Sequence, residues 1–287
     1  MTDVAIKKPG SGIAGEFAES LGLITPLERA WHFRELIRAV VRRELMARFS
    51  GSILGWLWAI FGPLLMLSVY TVIFSHAVGI RASTASHGVA NYSLNIFVGL
   101  IMFNLFAELA YRAPALLHEH VNFIKKSIFP SETLAWIAAI RAVVYAGISF
   151  CVLLFFELLI THSLPPTILL LPFVIVPFFL FLIGVSWFLM ALGSFTRDVM
   201  HLMASIVPVF MFATPIFYSF DDVPPVLRII LRVNLVGDYV ELMRDIVLLD
   251  RIPNPWLYLG TVIVSLLIFR AAYRFYMRYK NVFVDII

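Results

Sequence analysis

Charge is what this chain has least of. Only 14% of its 287 residues are Asp, Glu, Lys or Arg, and from residue 49 to residue 80 there is none at all. A soluble domain of this size needs far more charge on its surface, so the scarcity excludes an ordinary globular protein. Cysteine is scarcer still. The one thiol, Cys151, lies inside an apolar run, which excludes an intrachain disulfide and any cysteine-based metal cluster. Lysine is confined to Lys7, Lys8, Lys125, Lys126 and Lys280, none of them after a glycine. The chain therefore has no P-loop, and any ATP must be bound elsewhere. Of the 7 histidines only His118 and His120 are close, and their i, i+2 spacing sends them to different faces of a helix. With no His-Glu-x-x-His and no Gly-x-Ser-x-Gly, neither a metal site nor a hydrolase elbow is expected. The acidic pair Asp221–Asp222 opens a loop, where capping a helix is the simpler role.

Apolar residues fill the space that charge leaves. They make up 61% of the chain, 26 of them Phe, and the mean hydropathy is +0.92. The uncharged run from 49 to 80 exceeds the ~20 residues needed to cross a bilayer. The chain reads as an all-α integral membrane protein with six transmembrane helices, at roughly 53–78, 91–113, 133–160, 167–193, 200–219 and 255–275. The stretch 161–167, Thr-His-Ser-Leu-Pro-Pro-Thr, breaks what would otherwise be one very long helix. Residues 51–287 thus form the transmembrane domain, 27–50 an amphipathic interface helix, and 1–26 a flexible leader. The leader has Lys7 and Lys8 but no continuous apolar core, unlike a cleaved signal.

Six spans put both termini on one side. That side holds sixteen Lys and Arg, against five on the other (Arg81, Arg228, Arg232, Arg244 and Arg251), so the termini are expected to be cytoplasmic. The net charge of +4 then reflects topology, and nucleic acid is not an expected partner. Neither an internal repeat nor an inverted pair of broken helices is visible.

Three segments are amphipathic without spanning. Residues 27–49 set Phe33, Leu36, Ile37, Val40 and Leu45 on one face and Arg34, Arg38 and Arg42 on another, the pattern of a helix lying in the interface against anionic headgroups or a cytoplasmic partner. Such a helix serves as a topology anchor or as a mechanical element. The loop from Ala115 to Pro130 mixes apolar and charged residues over about three turns, as a docking helix or a plain connector would. On the outer side, residues 221–249 hold two apolar stretches too short and too charged to cross, separated at 234–237. They read as two short re-entrant helices, or as an external amphipathic hairpin.

Glu108, Arg141 and Glu157 fall in or near spans. Arg141 stands about 13 Å along its helix from Glu132 at ~1.5 Å per residue, and an unpaired Arg near the bilayer centre costs at least ~2.5–3.5 kcal/mol. A contact with Glu108 is the expected remedy. One acid and one base do not make a proton relay, so the pair is read as structural.

The order of these parts carries a resemblance. The segment from Leu36 through Arg48-Phe-Ser-Gly-Ser-Ile-Leu-Gly-Trp-Leu-Trp-Ala-Ile-Phe-Gly-Pro63 resembles the entry of the type-2 ABC exporter permeases that move polysaccharides and teichoic acids, and within them the O-antigen exporters. The run from Phe97 to Phe106 resembles that family's second span. Asn122-Phe-Ile-Lys-Lys-Ser-Ile-Phe-Pro130 is similar to its coupling helix, Thr214-Pro-Ile-Phe-Tyr218 and 234–244 to its fifth span and outer gate helices, and Phe283-Val-Asp-Ile-Ile287 to its tail. Asn234-Leu235 departs from the family's usual Asn-Pro. The resemblance implies a homodimer in a bacterial inner membrane and two copies of an ATP-binding cassette subunit, with ATP and Mg on that partner and no cofactor on this chain. It further implies coupling through His118, Glu119, Asn122, Lys125 and Lys126 and through the interface helix with Arg34, Arg38 and Arg42. The implied substrate is a lipid-linked glycan.

Glycans present C–H faces, which an aromatic-lined channel binds weakly enough to let a polymer slide. Tyr70 and Phe74 share a face of the first span at i, i+4, Phe210 and Phe217 one of the fifth at i, i+7, and Tyr218 lies beside the latter. These five are the expected lining, although aromatics at such spacing also serve packing. Other readings stay open: a permease of this type for teichoic acid, capsule, drug or lipid, or a membrane-embedded glycosyl-transfer enzyme using Asp221, Asp222, Asp238 and Glu241 as its carboxylates.

Overall fold

The computed structural model describes residues 25–77, 89–122, 129–218, 223–224 and 231–286, of which 74–77, 89–91 and 283–286 are described by their backbone alone. Every regular element among the described residues is helical: α1 Thr25–His32, α2 Arg34–Arg48, α3 Leu57–Ala77, α4 Val89–Arg112, α5 Leu116–Glu119, α6 Thr133–Thr161, α7 Leu171–Phe195, α8 Asp198–Ala213, α9 Leu235–Val247 and α10 Pro255–Ile286. Single 3-10 turns, Ala113–Ala115 and Pro166–Leu170, lead into α5 and α7.

Four stretches are long and apolar enough to cross a membrane: Tyr92–Glu119, Thr133–Thr161, Pro166–Phe195 and Pro255–Val282. The stretches Leu57–Ile73 and Asp198–Ala213 are apolar but shorter. Tyr92–Glu119 lies at the centre, with Leu94, Ile96, Phe97, Val98, Leu109 and Ala110 almost wholly enclosed by α3, α6, α8 and α9. α7 and α10 form the most intimate pair. Trp187 is fully buried, its ring 5.2 Å from Phe269 and 4.9 Å from Tyr273, with Trp136 of α6 set edge-on to both Trp187 and Phe269. Burying that much aromatic area, with tilted and edge-on geometry favoured by the ring quadrupoles, locks α6, α7 and α10 together.

α1 and α2 meet at Phe33, whose backbone (φ −95, ψ 18) bends the chain. α2 then runs along α6, burying Ile37 and Val41 and leaving Arg34, Arg38, Arg42 and Arg43 exposed. Gly51 (φ 84) and Gly55 (φ 50) adopt the left-handed conformation that other residues resist, and turn the chain from α2 into α3.

Two elements differ from expectation. The fifth apolar helix ends at Ala213 rather than 219, because Pro215 disfavours helix at the residue before it and Thr214 is extended (φ −96, ψ 134). Phe217 therefore leaves the helix, and the i, i+7 relation to Phe210 does not hold. The expected three-turn cytoplasmic helix is interrupted: α5 stops at Glu119, His120 sits in a turn (φ −110, ψ 15), and 123–128 lie outside the described residues.

Candidate functional site

Where α2, α4, α5 and α6 converge, the charges form one connected cluster around Glu44. Arg112 donates to Glu44 Oε2 at 3.0 Å and Arg141 to the same oxygen at 3.2 Å, while His120 Nε2 lies 3.5 Å from Oε1. Arg141 also donates to Glu108 Oε1 at 3.1 Å, Arg48 approaches that oxygen at 3.7 Å, and Arg112 lies 3.5 Å from Glu119. Glu44 and Arg141 retain only 11% and 12% side-chain exposure. A buried pair of this kind is tolerated only where its hydrogen bonds are well made. The second ring nitrogen of His120 is 3.0 Å from the Leu116 carbonyl. A carbonyl only accepts, so Nδ1 donates there, and Nε2 donates to Glu44 only in the imidazolium form. Hydrogen bonding to Glu44 raises the His120 pKa above its usual value against the opposing effect of burial. Burial pushes Glu44 upward, but His120 and Arg112 outweigh it and hold the carboxyl below the usual range.

A second buried carboxylate ties both ends of the described chain to the start of α6. Glu132, 4% exposed, accepts from Arg29 of α1 at 2.9 Å and from Lys280 of α10 at 2.7 Å, and its carbonyl accepts from the Trp187 indole at 2.9 Å.

At the opposite end, α9 is seated by two polar side chains. Asn234 caps it, accepting from the Val236 and Gly237 amides, and its own amide donates to the Ala213 carbonyl and Thr214 hydroxyl. Asn supplies this cap whether Leu or Pro follows it. Arg244 donates to the carbonyls of Asn95 at 3.2 Å, Pro215 at 2.8 Å and Ile216 at 2.7 Å. One fork thus satisfies the backbone exposed where α8 breaks and joins it to α4. At about 20 Å for 13 residues, α9 is too short to span. The first of the two expected outer segments lies largely outside the described residues.

The candidates named from sequence distribute as follows. Arg34 stacks on Trp31 and bonds its carbonyl, Arg38 pairs with Glu35 at 3.4 Å, and Arg42 is exposed. His118 Nε2 contacts the Gly193 carbonyl of α7 at 3.2 Å, Glu119 meets Arg112, and Asn122 is exposed. Lys125 and Lys126, like Asp221 and Asp222, lie outside the described residues. Tyr70 and Phe217 bring their rings to 6.2 Å, Phe210 lies 5.4 Å from Phe106, and the Tyr218 hydroxyl donates to the Phe212 carbonyl. Phe74 is described by its backbone alone. Glu157 is buried, and its carbonyl accepts from the Thr161 hydroxyl. Asp238 and Glu241 share Arg232 as counter-ion, at 3.9 and 3.5 Å. No group of three metal-ligating side chains occurs among the described residues. Glu44, Glu132 and Arg244, the three residues that organise these sites, were not singled out from sequence. Glu44 was legible as an acid interrupting a basic helix.

A bundle of long apolar helices with an amphipathic entry helix defines a multi-pass membrane protein. The ABC-2 type transporter family model matches residues 35–248, from α2 through α9, and the chain belongs to that family. It is similar to the O-antigen export system permease protein RfbA of Myxococcus xanthus, 24% identical over 203 residues that cover 70% of this chain and 75% of that one. It is equally similar to the protein of the same name from Klebsiella pneumoniae, 24% identical over 217 residues covering 74% and 80%.

Proposed function

We propose that this chain is the permease subunit of an ATP-driven exporter that moves a lipid-linked polysaccharide of O-antigen type across a bacterial inner membrane. The observation that carries this reading is the similarity to O-antigen export permeases over about three quarters of both chains. Two copies form the conduit, and two ATP-binding subunits sit beneath it, since the sequence has no P-loop of its own. Helices α3, α4, α6, α7, α8 and α10 cross the membrane with both termini cytoplasmic, in keeping with the bias of Lys and Arg, and α9 dips in from outside.

In this arrangement, closure of the ATPase pair presses on the loop from His118 to Lys126. The load passes through Glu119 and Arg112 to Glu44, and from there to Arg141 of α6. Tyr70, Phe210, Phe217 and Tyr218 offer aromatic faces to the sugar near the outer mouth. The test is co-expression with the candidate ATP-binding subunit, reconstitution in lipid nanodiscs, and measurement of stoichiometry and ATP turnover, with and without Glu119→Ala and Lys125→Ala. A two-plus-two complex whose turnover falls in the variants is expected. A chain that purifies alone and recruits no ATPase would overturn the reading. Asp238→Asn with Glu241→Gln separates transport from glycosyl transfer, which those changes would abolish.

A further inference from the structure

Between α3 and α6 runs an apolar slot of about 880 Å³ that no part of the described chain fills. Trp56, at the mouth of α3, then Ile60 and Leu64 form one wall at i, i+4 spacing, and Gly147, Cys151 and Phe155 of α6 form the other. Both walls are open to the surroundings: Trp56 is 45% exposed and Phe155 58%. A Cβ placed on Gly147 would meet nothing within 4 Å, so the slot is a real vacancy along the helix face.

One end of the slot is marked by a cation in an aromatic collar. The Arg48 guanidinium lies 4.2 Å from the Tyr145 ring, Tyr145 stacks on Trp56 at 6.5 Å, and Phe49 lies 5.5 Å from Trp56. Aromatic rings and arginines of this kind sit at headgroup depth. Arg48 keeps half its side chain exposed, and its contact with Glu108 is the looser of the two that Glu108 makes, 3.7 Å against 3.1 Å for Arg141. The lining from Val144 to Phe155 spans about 16 Å at ~1.5 Å per residue, roughly one leaflet of a ~30 Å hydrocarbon core. The next cavity beyond Leu64 is smaller, 310 Å³.

The geometry points to a phospholipid site: one anionic glycerophospholipid per chain, its acyl chains in the slot between α3 and α6 and its phosphate against Arg48. The one-leaflet depth favours a bilayer phospholipid over a much longer polyprenyl carrier, and the positive end favours an anionic headgroup over a second copy of the same basic segment.

The experiment delipidates the intact protein, or its complex where it forms one, in detergent. It then titrates phosphatidylglycerol, phosphatidylcholine with the same acyl chains, or polyprenyl phosphate, and counts retained molecules by native mass spectrometry. Wild type should retain one phosphatidylglycerol per chain, about fivefold tighter than phosphatidylcholine, the size expected of one arginine near a lipid surface. Arg48→Gln should equalise the two lipids. Gly147→Leu, which fills the slot in an open position, should lose both while its melting temperature confirms folding. Equal binding of both lipids by wild type, undiminished retention by Gly147→Leu, or retention of polyprenyl phosphate alone would each overturn the site. So would occupation by a second copy, read as Cys151-to-Cys151 crosslinking of the lipid-free protein.

Discussion

Glu44 of α2 and Arg141 of α6 are joined at 3.2 Å, although 97 positions separate them in sequence. The bond fastens α2 to a long apolar helix at a point where both side chains are nearly enclosed. It also shares out the one cation inside α6, since Arg141 bonds Glu44 and Glu108 with different nitrogens.

Removing Glu44 leaves Arg112 and Arg141 facing a vacancy. Glu44→Ala should destabilise the protein by roughly 3 kcal/mol, the low end of the penalty for a broken buried pair, because Arg141 keeps Glu108 and Arg112 keeps Glu119. Glu44→Gln keeps the shape and should cost roughly 1–3 kcal/mol. Thermal unfolding in detergent of both variants, of Arg141→Met and of the double variant forms a cycle, and additivity within ~0.5 kcal/mol would show the two residues to be uncoupled.

The same cluster makes stability depend on pH with a defined sign. His120 has a raised pKa in the fold, so its contribution is complete below its unfolded value near 6.5 and is lost as pH rises through the higher folded value. Glu44 has a lowered pKa, so its contribution is present above the usual carboxylate range and is lost as pH falls through the lower folded value. The cluster is fully paired between these two titrations. The melting temperature should therefore fall as pH rises from about 6 to 9, and His120→Gln should flatten that slope. An unchanged slope in the variant would place the titrating group elsewhere.

Much of this arrangement was legible in the residues, and what was not has physical causes. Uncharged runs pointed to a bundle of apolar helices because lipid tolerates few charges, and the Arg34, Arg38, Arg42 stripe has the period of a helix, as α2 does, because amphipathicity is a local periodic signal. The Arg141–Glu108 contact followed from the cost of burying charge. Glu44 as its second partner did not, since nothing local pairs residues so far apart. The end of α8 was misplaced because the apolar run continues through Pro215 to Tyr218, and hydropathy does not register a backbone break. Asn234 stood out only as a departure from Asn-Pro and Arg244 only as one of five outer arginines, because nothing local shows that they satisfy a break some twenty residues or more upstream.

Arg244 offers a sharp test of how α9 is held. Arg244→Met strands the carbonyls of Pro215 and Ile216, each worth about 1–3 kcal/mol when buried without a donor, and loses the bond to Asn95 on α4. A loss of several kcal/mol is expected. Arg244→Lys should recover little of it, because one ammonium cannot reproduce a fork that reaches carbonyls on two separate segments. Full recovery by Lys would mean that charge alone, rather than geometry, seats the helix.

Gly193 controls how closely α7 approaches the 3-10 turn that leads into α5. A Cβ there would stand 2.2 Å from the Pro114 carbonyl oxygen and 2.6 Å from its Cα, both backbone atoms that no rotamer change can clear. Gly193→Ala must therefore displace the 3-10 turn or α7, at a cost of about 1–3 kcal/mol or more. Because His118 contacts the Gly193 carbonyl, the same displacement should disturb α5 and the turn at His120. Gly260→Ala in α10, where the added atom meets nothing within 4 Å and no proline follows, is the matching control and should gain up to ~1 kcal/mol from helix propensity. Thermal unfolding of the two variants side by side should shift in opposite directions, and a Gly193→Ala protein as stable as wild type would show that the α7 contact with Pro114 is looser than these distances require.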